Sequence, residues 1–174
     1  SGAFGEGGVG YARQRGFPDL ADVSIATLSK AMGLAGGAIC ASKLFCDGVL
    51  NHGRAYIYST SVAPAICAGA IAAIEVMRTE PERQGRLGHL ANRVRETLDI
   101  PGPDSPIVPI ILGDETRALQ GAQTLYDQGM LGIAVRPPTV PRGTSRLRIT
   151  LSCDHTEEEV DKLIVALRTI TASA

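Results

Sequence analysis

One lysine interrupts the small and apolar stretch ATLSKAMGLAGG (residues 26–37). The run that leads into it, residues 23–28, is apolar and β-branched, which predicts a short buried strand. Lys30 therefore follows the carboxyl end of a strand and precedes a glycine-rich turn. Ligands of α/β proteins bind at this end of the strands, so the segment indicates both a fold class and a candidate site.

Chemistry alone leaves two interpretations of Lys30 open. In apolar surroundings the ammonium form is disfavoured, and a neutral amine is a nucleophile for a carbonyl group. The hydroxyls of Thr27 and Ser29 could then hydrogen-bond a phosphate, while Gly36 and Gly37 let a ligand approach the backbone. Alternatively, the lysine stem lies on the core and its ammonium group reaches water.

The neighbouring sequence has an α/β pattern. A second strand is predicted over residues 37–41, a helix over residues 43–51 and a third short strand over residues 55–60. Pro64 opens a long Ala-rich helix, at a position where the missing N–H of proline costs nothing. The strands are too apolar to face water, which is typical of a sheet covered on both faces.

The glycine-rich start, residues 1–18, is predicted to be a loop. Residues 5–10 fit the G-x-G-x-x-G dinucleotide fingerprint letter by letter. That fingerprint needs a strand before it and a helix after it, so that the helix N-terminus receives the pyrophosphate. Both flanks are poor here, because only four residues precede the motif and residues 13–16 make a poor helix. A flexible loop is the better interpretation.

The triplet Glu80-Pro81-Glu82 ends this pattern, and we place a domain boundary there, between residues 1–80 and residues 81–174. The second domain is predicted to hold helices near residues 82–98 and 116–128 and strands near residues 107–112, 132–136 and 145–151. Thr156 and Glu159 form a capping box that starts a final helix. The prediction is a small α+β layer of three strands and about three helices.

A hydroxyl cluster at residues 58–61 precedes Pro64. These side chains could cap the Ala-rich helix, and that role alone would explain them. Ser59 and Thr60 could instead bind a phosphate at the helix N-terminus, and the two roles are compatible.

Residues 135–148 combine a proline-rich turn with an arginine-rich strand. Arg146 and Arg148 share one face of that predicted strand, with Leu147 and Ile149 on the other. Two guanidinium groups on one face favour a carboxylate ligand, which arginine holds through two parallel hydrogen bonds. A solvated outer face of a small sheet explains them equally well.

Composition excludes several function classes. With 17 basic and 18 acidic residues and 4% aromatics, the chain has no feature of a nucleic-acid-binding protein. Its most apolar stretch, residues 62–77, stops at Arg78 and is too short for a membrane span. The cysteines lack C-x-x-C pairs and metal-ligand spacing, which predicts reduced core thiols, no metal site and a cytoplasmic location. They are Cys40, Cys46, Cys67 and Cys153.

Four stretches carry a family resemblance: TLSKAMGLAGG, YIYSTSVAPA, GDETRALQ and VRPPTVPRGTSRLRITLSCDHTEEEVDKL. In order and spacing, over essentially all 174 residues, the chain resembles the α-oxoamine synthases, fold type I enzymes that use pyridoxal phosphate. The resemblance implies an α/β fold. Residues 1–80 would be the C-terminal part of the large, cofactor-binding domain, and residues 81–174 the small α+β C-terminal domain.

The resemblance also implies the residues that bind the cofactor. Lys30 would form the internal aldimine with pyridoxal 5'-phosphate and, once released, act as the base at the substrate Cα. Thr27 would contact the cofactor phosphate. Thr60, together with Ser59, would reach the phosphate of the neighbouring subunit, which implies a homodimer.

Substrate contacts follow from the same resemblance. Arg148 resembles the arginine that holds the amino-acid carboxylate, and Arg136 resembles one that lines the acyl-substrate side. The implied reaction is the decarboxylative condensation of L-alanine with a pimeloyl thioester, both small molecules. A family member with another acyl chain, or a noncatalytic piece that serves only folding or dimer contact, remains an alternative.

One departure from the family pattern concerns the start of the chain. In the family, the loop matched by residues 1–10 directly follows an Asp-x-x-His segment, and this sequence begins after that histidine. The aspartate that pairs with the pyridine nitrogen is then missing as well, and protonation of that nitrogen strengthens the electron sink. We therefore expect that an N-terminal segment is missing and that the fragment alone is a poor catalyst.

Overall fold

The computed structural model describes residues 2–17, 21–102 and 105–172 of the chain. It divides into two compact units, Ser1–Gln84 and Gly85–Ala174. This division falls shortly after the boundary predicted at Glu80-Pro81-Glu82. The assignment of residues 1–80 and 81–174 to the two parts of a cofactor-binding fold stays a prediction.

The first unit combines an antiparallel hairpin with several helices. Strand β1 (Val23–Thr27) pairs with β2 (Gly37–Ala41), and Ile25 lies opposite Ile39. The predictions of both strands and of the helices that start at residues 43 and 64 are confirmed. The helices are α1 (Tyr11–Gln14), α2 (Lys43–His52), α3 (Arg54–Ile57) and α4 (Pro64–Thr79).

Two local predictions in the first unit are wrong. The third strand predicted over residues 55–60 is a helical turn, α3, because the backbone N–H groups of Tyr56 and Ile57 both donate to the carbonyl of Gly53 at 2.9 Å. Groups bonded within a turn cannot join a strand ladder. The loop predicted over residues 1–18 contains a 3-10 turn (Glu6–Gly8) and the single helical turn α1, and its residues Ser1 and Pro18 lie outside the described ones.

The second unit is a three-stranded antiparallel sheet with three helices in its described part, as predicted. The spatial order is β3 (Ile107–Gly113), β5 (Ser145–Thr150), β4 (Ile133–Val135). The helices are α5 (Glu82–Thr97), α6 (Glu115–Asp127) and α7 (Glu157–Ala172). In β5 the side chains alternate as predicted, because Leu147 and Ile149 are buried while Arg148 is exposed.

The hydrophobic core belongs to the second unit. Among the described residues, every buried hydrophobic side chain lies beyond Gln84, in the sheet, in α5, α6 and α7, or at Leu151 just after β5. The largest fully buried ones are Leu90, Leu125, Leu147, Leu167, Val94, Val108 and Val160. No described residue of α2 or α4 in the first unit is buried.

Helix capping agrees with the prediction at α7 and contradicts it at α4. The Thr156 hydroxyl accepts from the Glu159 N–H at 3.2 Å, and the Glu159 carboxylate accepts from the Thr156 N–H at 2.8 Å. That completes the predicted capping box. The hydroxyl cluster at residues 58–61 does not cap α4, because the N-cap position falls on Ala63, which makes no side-chain cap.

The cysteines are free thiols, as predicted, but their predicted burial is wrong. Cys40 and Cys67 are exposed, and Cys46 and Cys153 are half-buried. Three of them lie in the first unit, where the described residues form no core, and Cys153 lies in the loop before α7. Within the described ranges, no helix is long and apolar enough to cross a membrane, and no group of three or more metal-ligating side chains occurs.

Candidate active site

The connection between β1 and β2 is an ordered turn with Lys30 near its tip. The Leu28 N–H donates to the Gly36 carbonyl at 3.0 Å, and the Leu34 N–H donates back to the Leu28 carbonyl at 2.8 Å. The Gly33 N–H donates to the Lys30 carbonyl at 3.0 Å. Gly36 has a φ of 95°, which an L residue rarely adopts, so the turn depends on glycine at this position.

Two hydroxyls stand directly before the lysine. Thr27 Oγ1 and Ser29 Oγ lie 2.8 Å apart, and the Ser29 backbone N–H donates to Thr27 Oγ1 at 3.2 Å. Both residues are exposed. The local chain therefore fixes two hydroxyls in a defined arrangement and leaves each accessible to a ligand.

Lys30 differs from the other lysines in its ionic partners. Lys43 Nζ lies 2.6 Å from Asp47 Oδ2, and Lys162 Nζ lies 2.8 Å from Glu158 Oε1. The hydrogen bond that Lys162 donates to the Glu158 carboxylate raises the pKa of Lys162. Lys30 forms no ion pair or hydrogen bond through its amine with any described residue.

The apolar surroundings expected for Lys30 are not supplied by this chain, because its side chain is exposed. The alternative interpretation, in which the lysine stem packs on a hydrophobic core, is not supported either. The described part of the first unit has no buried hydrophobic side chain. What the chain itself provides is an amine that is accessible and not engaged by a carboxylate.

Ser59 and Thr60 lie on a different segment, between α3 and α4, and both are exposed. No hydrogen bond joins their side chains to those of Thr27 or Lys30. The structure thus brings Thr27 and Lys30 together in one turn and sets Ser59 and Thr60 side by side elsewhere in the first unit.

The two arginines singled out from the sequence belong to the second unit. Arg148 lies in the central strand β5, in register with Pro109 of β3 and Ile133 of β4. Arg136 directly follows β4, and its Nη1 lies 3.9 Å from Glu115 Oε2. The Arg148 guanidinium group has no hydrogen-bond or ion-pair partner in the part of the chain that is described.

The sheet face that carries Arg148 is not simply a solvated polar surface. Ile111 and Ile133, on the strands flanking β5, expose much of their side chains on that face. Arg146 is engaged, since its Nε donates to the Thr144 carbonyl at 2.9 Å. Among the residues that the structure describes, this face therefore presents one unpaired guanidinium group, that of Arg148, between exposed isoleucines, which favours a carboxylate ligand that also carries apolar groups.

Arg148 also lines a cavity of about 500 Å³ within the second unit. Met130 from the loop after α6, Leu163 of α7 and His155 are among the other lining residues. The His155 Nδ1 accepts from the Ser152 N–H at 3.1 Å, which leaves the proton of a neutral ring on Nε2.

Sequence reasoning missed the lining role of Met130 and Leu163. No local signal marks them, because their proximity to Arg148 depends on the order of strands in the sheet. The hydrogen bond that His155 accepts from the Ser152 N–H indicates a structural role for this histidine.

Comparison with known proteins places this geometry in a family. The family model described as Aminotransferase class I and II matches residues 3–167. A relative from Anaeromyxobacter dehalogenans (strain 2CP-C), named 8-amino-7-oxononanoate synthase, is 42% identical over 172 residues, which are 96% of this chain and 43% of the relative. A relative of the same name from Maricaulis maris (strain MCS10) is 42% identical over 152 residues, 87% of this chain and 39% of the relative.

Two solved structures have the same fold as this chain. A structure described as SPT with the PLP internal aldimine matches with a TM-score of 0.91 and 27% identity, over 99% of this chain and 45% of that one. An 8-amino-7-oxononanoate synthase from Francisella tularensis matches with a TM-score of 0.84 and 21% identity, over 99% of this chain and 52% of that one.

These matches confirm the predicted fold class, that of part of a fold type I enzyme. The chain spans less than half the length of the curated relatives named above. Because the family model covers nearly all of its residues, the chain belongs to the aminotransferase class I and II family.

Proposed function

We propose that this chain is the C-terminal part of a pyridoxal-phosphate-dependent α-oxoamine synthase that condenses L-alanine with a pimeloyl thioester. The products are 8-amino-7-oxononanoate, carbon dioxide and the free thiol, and the reaction belongs to biotin synthesis. The names of the curated relatives support this choice. Because the chain spans about two fifths of those relatives, the activity is proposed for the whole protein.

The observation that carries the proposal is the environment of Lys30. Its amine is exposed and free of any carboxylate within the described chain, directly after two accessible hydroxyls. An aldehyde needs such an amine, and a phosphate needs such hydroxyl donors. The residues present therefore fit pyridoxal phosphate, which supplies an electron sink for a carbanion at the substrate Cα when it is bound.

The four candidate residues of the first unit then each have a role in binding the cofactor. Lys30 holds the cofactor through its amine and, after release, takes the proton from the substrate Cα. Thr27 donates its hydroxyl hydrogen bond to the cofactor phosphate. Ser59 and Thr60, which are exposed and do not cap α4, donate to the phosphate held by the other subunit of a homodimer.

The arginines of the second unit bind the substrates. Arg148 holds the amino-acid carboxylate through two parallel hydrogen bonds, since its guanidinium group has no partner among the described residues. Arg136 contacts the acyl substrate. Its approach to Glu115 Oε2, at 3.9 Å, leaves it free to turn toward a ligand.

The test is to find which lysine the cofactor selects. Pyridoxal phosphate is added to the chain, the bond is made permanent by borohydride reduction, and the labelled peptide is identified by mass spectrometry. We expect the label on Lys30 and its loss in Lys30→Ala. Lys43→Ala is the matched control, because Lys43 is also exposed but is paired with Asp47. Equal labelling of Lys30, Lys43 and Lys162 would overturn the proposal.

A second candidate function is another α-oxoamine synthase: glycine C-acetyltransferase, 5-aminolevulinate synthase or serine palmitoyltransferase. It is favoured by the solved structure from Sphingomonas wittichii named serine palmitoyltransferase, with a TM-score of 0.90 and 25% identity. Turnover assays of the whole protein, with alanine, glycine or serine against pimeloyl, acetyl, succinyl and palmitoyl thioesters, separate these activities. A noncatalytic dimer-contact module would give neither turnover nor selective labelling of Lys30.

A further inference from the structure

The glycine-rich segment near the start of the chain closes on itself. We define the glycine loop as Gly2–Gly10, which contains the G-x-G-x-x-G match. The Gly2 N–H donates to the Gly8 carbonyl at 2.8 Å, and the Gly10 N–H donates to the Phe4 carbonyl at 2.8 Å. The segment that the sequence indicated as a flexible loop therefore has a defined shape.

The glycine loop is crowded where it meets itself. A Cβ added at Gly8 would lie 2.8 Å from the Gly2 Cα, and one added at Gly5 would lie 2.7 Å from the Gly10 carbonyl oxygen. Both Gly5 and Gly8 are buried. The glycines at these two positions therefore serve the packing of the loop on itself.

The same bonds argue against a dinucleotide site. A phosphate-binding glycine loop offers free backbone N–H groups at the start of a helix. Here the N–H groups of Gly8 and Gly10 donate within the loop, and α1, which follows it, has only four residues. The G-x-G-x-x-G match therefore has another role in this chain.

One end of the glycine loop lies against the turn that carries Lys30. We define the Lys30 turn as residues 28–36, between β1 and β2. A Cβ added at Gly2 would lie 2.5 Å from the Ala31 Cβ and 3.7 Å from the Met77 Sδ of α4. The backbone of Gly2 thus leaves no room for a side chain beside the residue that follows Lys30.

The Gln84 side chain, in the first turn of α5, anchors the glycine loop. Its Nε2 donates to the Gly5 carbonyl at 2.5 Å and to the Ala3 carbonyl at 3.4 Å. One half-buried amide group thus serves two carbonyls of a loop that lies 79 residues or more before it in the chain. Such bonds between distant segments hold the loop in place against α5.

We propose that Gln84 is a positioning residue for Lys30 and acts through the glycine loop. The hydrogen bonds of Gln84 fix the loop, and the loop fixes the backbone at Ala31. The inference rests on the proposed function, because it is there that Lys30 holds the cofactor.

Lys30 depends on its backbone for its position. Its amine has no partner among the described residues, so no side-chain contact within them decides where it points. The bonds of Leu28, Gly33 and Leu34 close the Lys30 turn from within. The glycine loop adds a contact from outside the turn, at Ala31. This contact matters because a displacement of about 1 Å between reacting groups can cost about 100-fold in rate.

The first test is the contact between Gly2 and Ala31, in the whole protein and without added cofactor. Gly2→Ala should speed hydrogen exchange of the Leu34 amide by about 10-fold or more, because the new Cβ displaces the Lys30 turn. Ala31→Gly should restore slow exchange in the double variant, since it removes the atom that the new Cβ meets. The strain of alanine at a φ of 87° is present with either residue at position 31, so it cancels in the double-mutant cycle.

Gly7→Ala is the matched control for this cycle. Gly7 also has a positive φ, 65°, but a Cβ there meets no atom within 4 Å. The variant therefore introduces backbone strain into the glycine loop without a clash, and exchange of the Leu34 amide should stay unchanged.

The second test changes the donor at position 84. Gln84→Glu keeps the size of the side chain but has no N–H group at neutral pH. It should speed exchange of the Gly8 and Gly10 amides by about 10-fold or more. It should also lower the ratio of Lys30 to Lys43 labelling, in the borohydride experiment with pyridoxal phosphate, by about 10-fold. Gln84→Lys supplies a donor again and should recover most of both measurements.

Gln123→Glu is the matched control for the change at position 84. The Gln123 Nε2 donates to Asp127 Oδ1 at 2.7 Å within α6, so this variant makes the same chemical change in the second unit. It should alter neither the exchange of the glycine loop nor the labelling of Lys30.

Three results would overturn the inference. Faster exchange of the glycine loop in Gln84→Glu with unchanged labelling of Lys30 would give Gln84 a structural role only. Additive effects of Gly2→Ala and Ala31→Gly would mean that the loop and the Lys30 turn are not coupled. Failure of Gln84→Lys to recover either measurement would mean that the hydrogen bonds do not hold the loop.

Failure of the proposed function has a different signature. In that case the parent protein shows no preference for Lys30 over Lys43 in the labelling experiment. The exchange measurements use no cofactor, so they decide by themselves whether the glycine loop fixes the Lys30 turn.

Discussion

Helices α4 and α7 have the same length, 16 residues each, and opposite burial. In α7 a stripe that includes Val160, Leu163 and Leu167 is buried, and acidic residues occupy the first turn. In α4 isoleucines and alanines lie on every side and none is buried. The difference shows that apolar content alone does not decide burial. A helix is buried when the chain also supplies the layer against which it packs.

The strands of the two units differ in the same way. In β5, Leu147 faces the core and Arg148 faces outward, so one helical layer is sufficient to cover the apolar face. In β1, Val23 and Ile25 share one face and Ser24 and Ala26 the other, and no charged side chain lies on either face. The apolar faces of the second unit therefore meet in one core, whereas no hydrophobic side chain is buried in the described part of the first unit.

The largest expected effect is a loss of stability when the volume of a core side chain is reduced. Leu147 is fully buried, so Leu147→Ala should lower the free energy of unfolding of the second unit by about 2–5 kcal/mol. The matched change Ile25→Ala, at an exposed position of β1, should alter it by less than about 0.5 kcal/mol. Urea denaturation followed by circular dichroism measures both, and similar losses in the two variants would break the distinction between the units.

The next effect comes from glycines in crowded and open positions. A Cβ at Gly132 would lie 2.5 Å from Leu125 Cδ1, inside the core, so Gly132→Ala should cost about 1–3 kcal/mol through overpacking. A Cβ at Gly88 in α5 meets no atom within 4 Å, so Gly88→Ala should stabilise that helix by about 0.5–1 kcal/mol. Thermal unfolding of the two variants should shift in opposite directions, and a shift of the same sign would contradict the packing described for Gly132.

Much of the fold could be predicted, because several strands and helices are specified by a pattern within their own short segment of sequence. Alternation in residues 145–150 predicted β5, and Thr156 with Glu159 predicted the start of α7. These signals are local: a period of two and a capping box are complete within six residues or fewer. The same is true of Pro64 at the first position of α4.

Other features depend on partners distant in sequence and could not be predicted. Residues 55–60 have strand-like composition. The backbone N–H groups of Tyr56 and Ile57 nevertheless donate to the Gly53 carbonyl, which makes this segment a helical turn. The exposure of Lys30 reflects the absence of a buried core from the described first unit, which no local pattern reveals. The cavity beside Arg148 requires the order β3-β5-β4, and local patterns do not fix the order of strands.

A smaller loss of stability is expected when the N-cap hydroxyl of a helix is removed, and its size should differ between the two units. Thr156→Ala removes the cap of α7 and should cost about 1 kcal/mol in the unfolding of the second unit. Ser42, whose hydroxyl accepts from the Phe45 N–H at 3.3 Å, caps α2 in the first unit. Ser42→Ala should leave the unfolding transition of the second unit unchanged. An equal loss in both variants would mean that the two units unfold as one.

The smallest effect is the pH dependence of the α7 cap. The Thr156 backbone N–H, followed by its hydroxyl, holds the pKa of Glu159 below its ordinary value of 4.5. A carboxyl group with a lowered pKa stabilises the folded state fully above its unfolded pKa, and that contribution is lost as the pH falls through the folded pKa. Stability from Glu159 should therefore be complete above pH 4.5 and decline only below it.

Melting temperatures of the parent chain and Glu159→Gln, measured from neutral to acid pH, test this. The glutamine retains an acceptor oxygen but no charge, so the two curves should differ at neutral pH and converge below pH 4.5. Glu158→Gln is the control, because Glu158 pairs with Lys162 and makes no cap bond. A gap between the Glu159→Gln and parent curves that widens in acid would contradict the assigned sign. It would also mean that the cap at Thr156 is maintained by something other than the carboxylate.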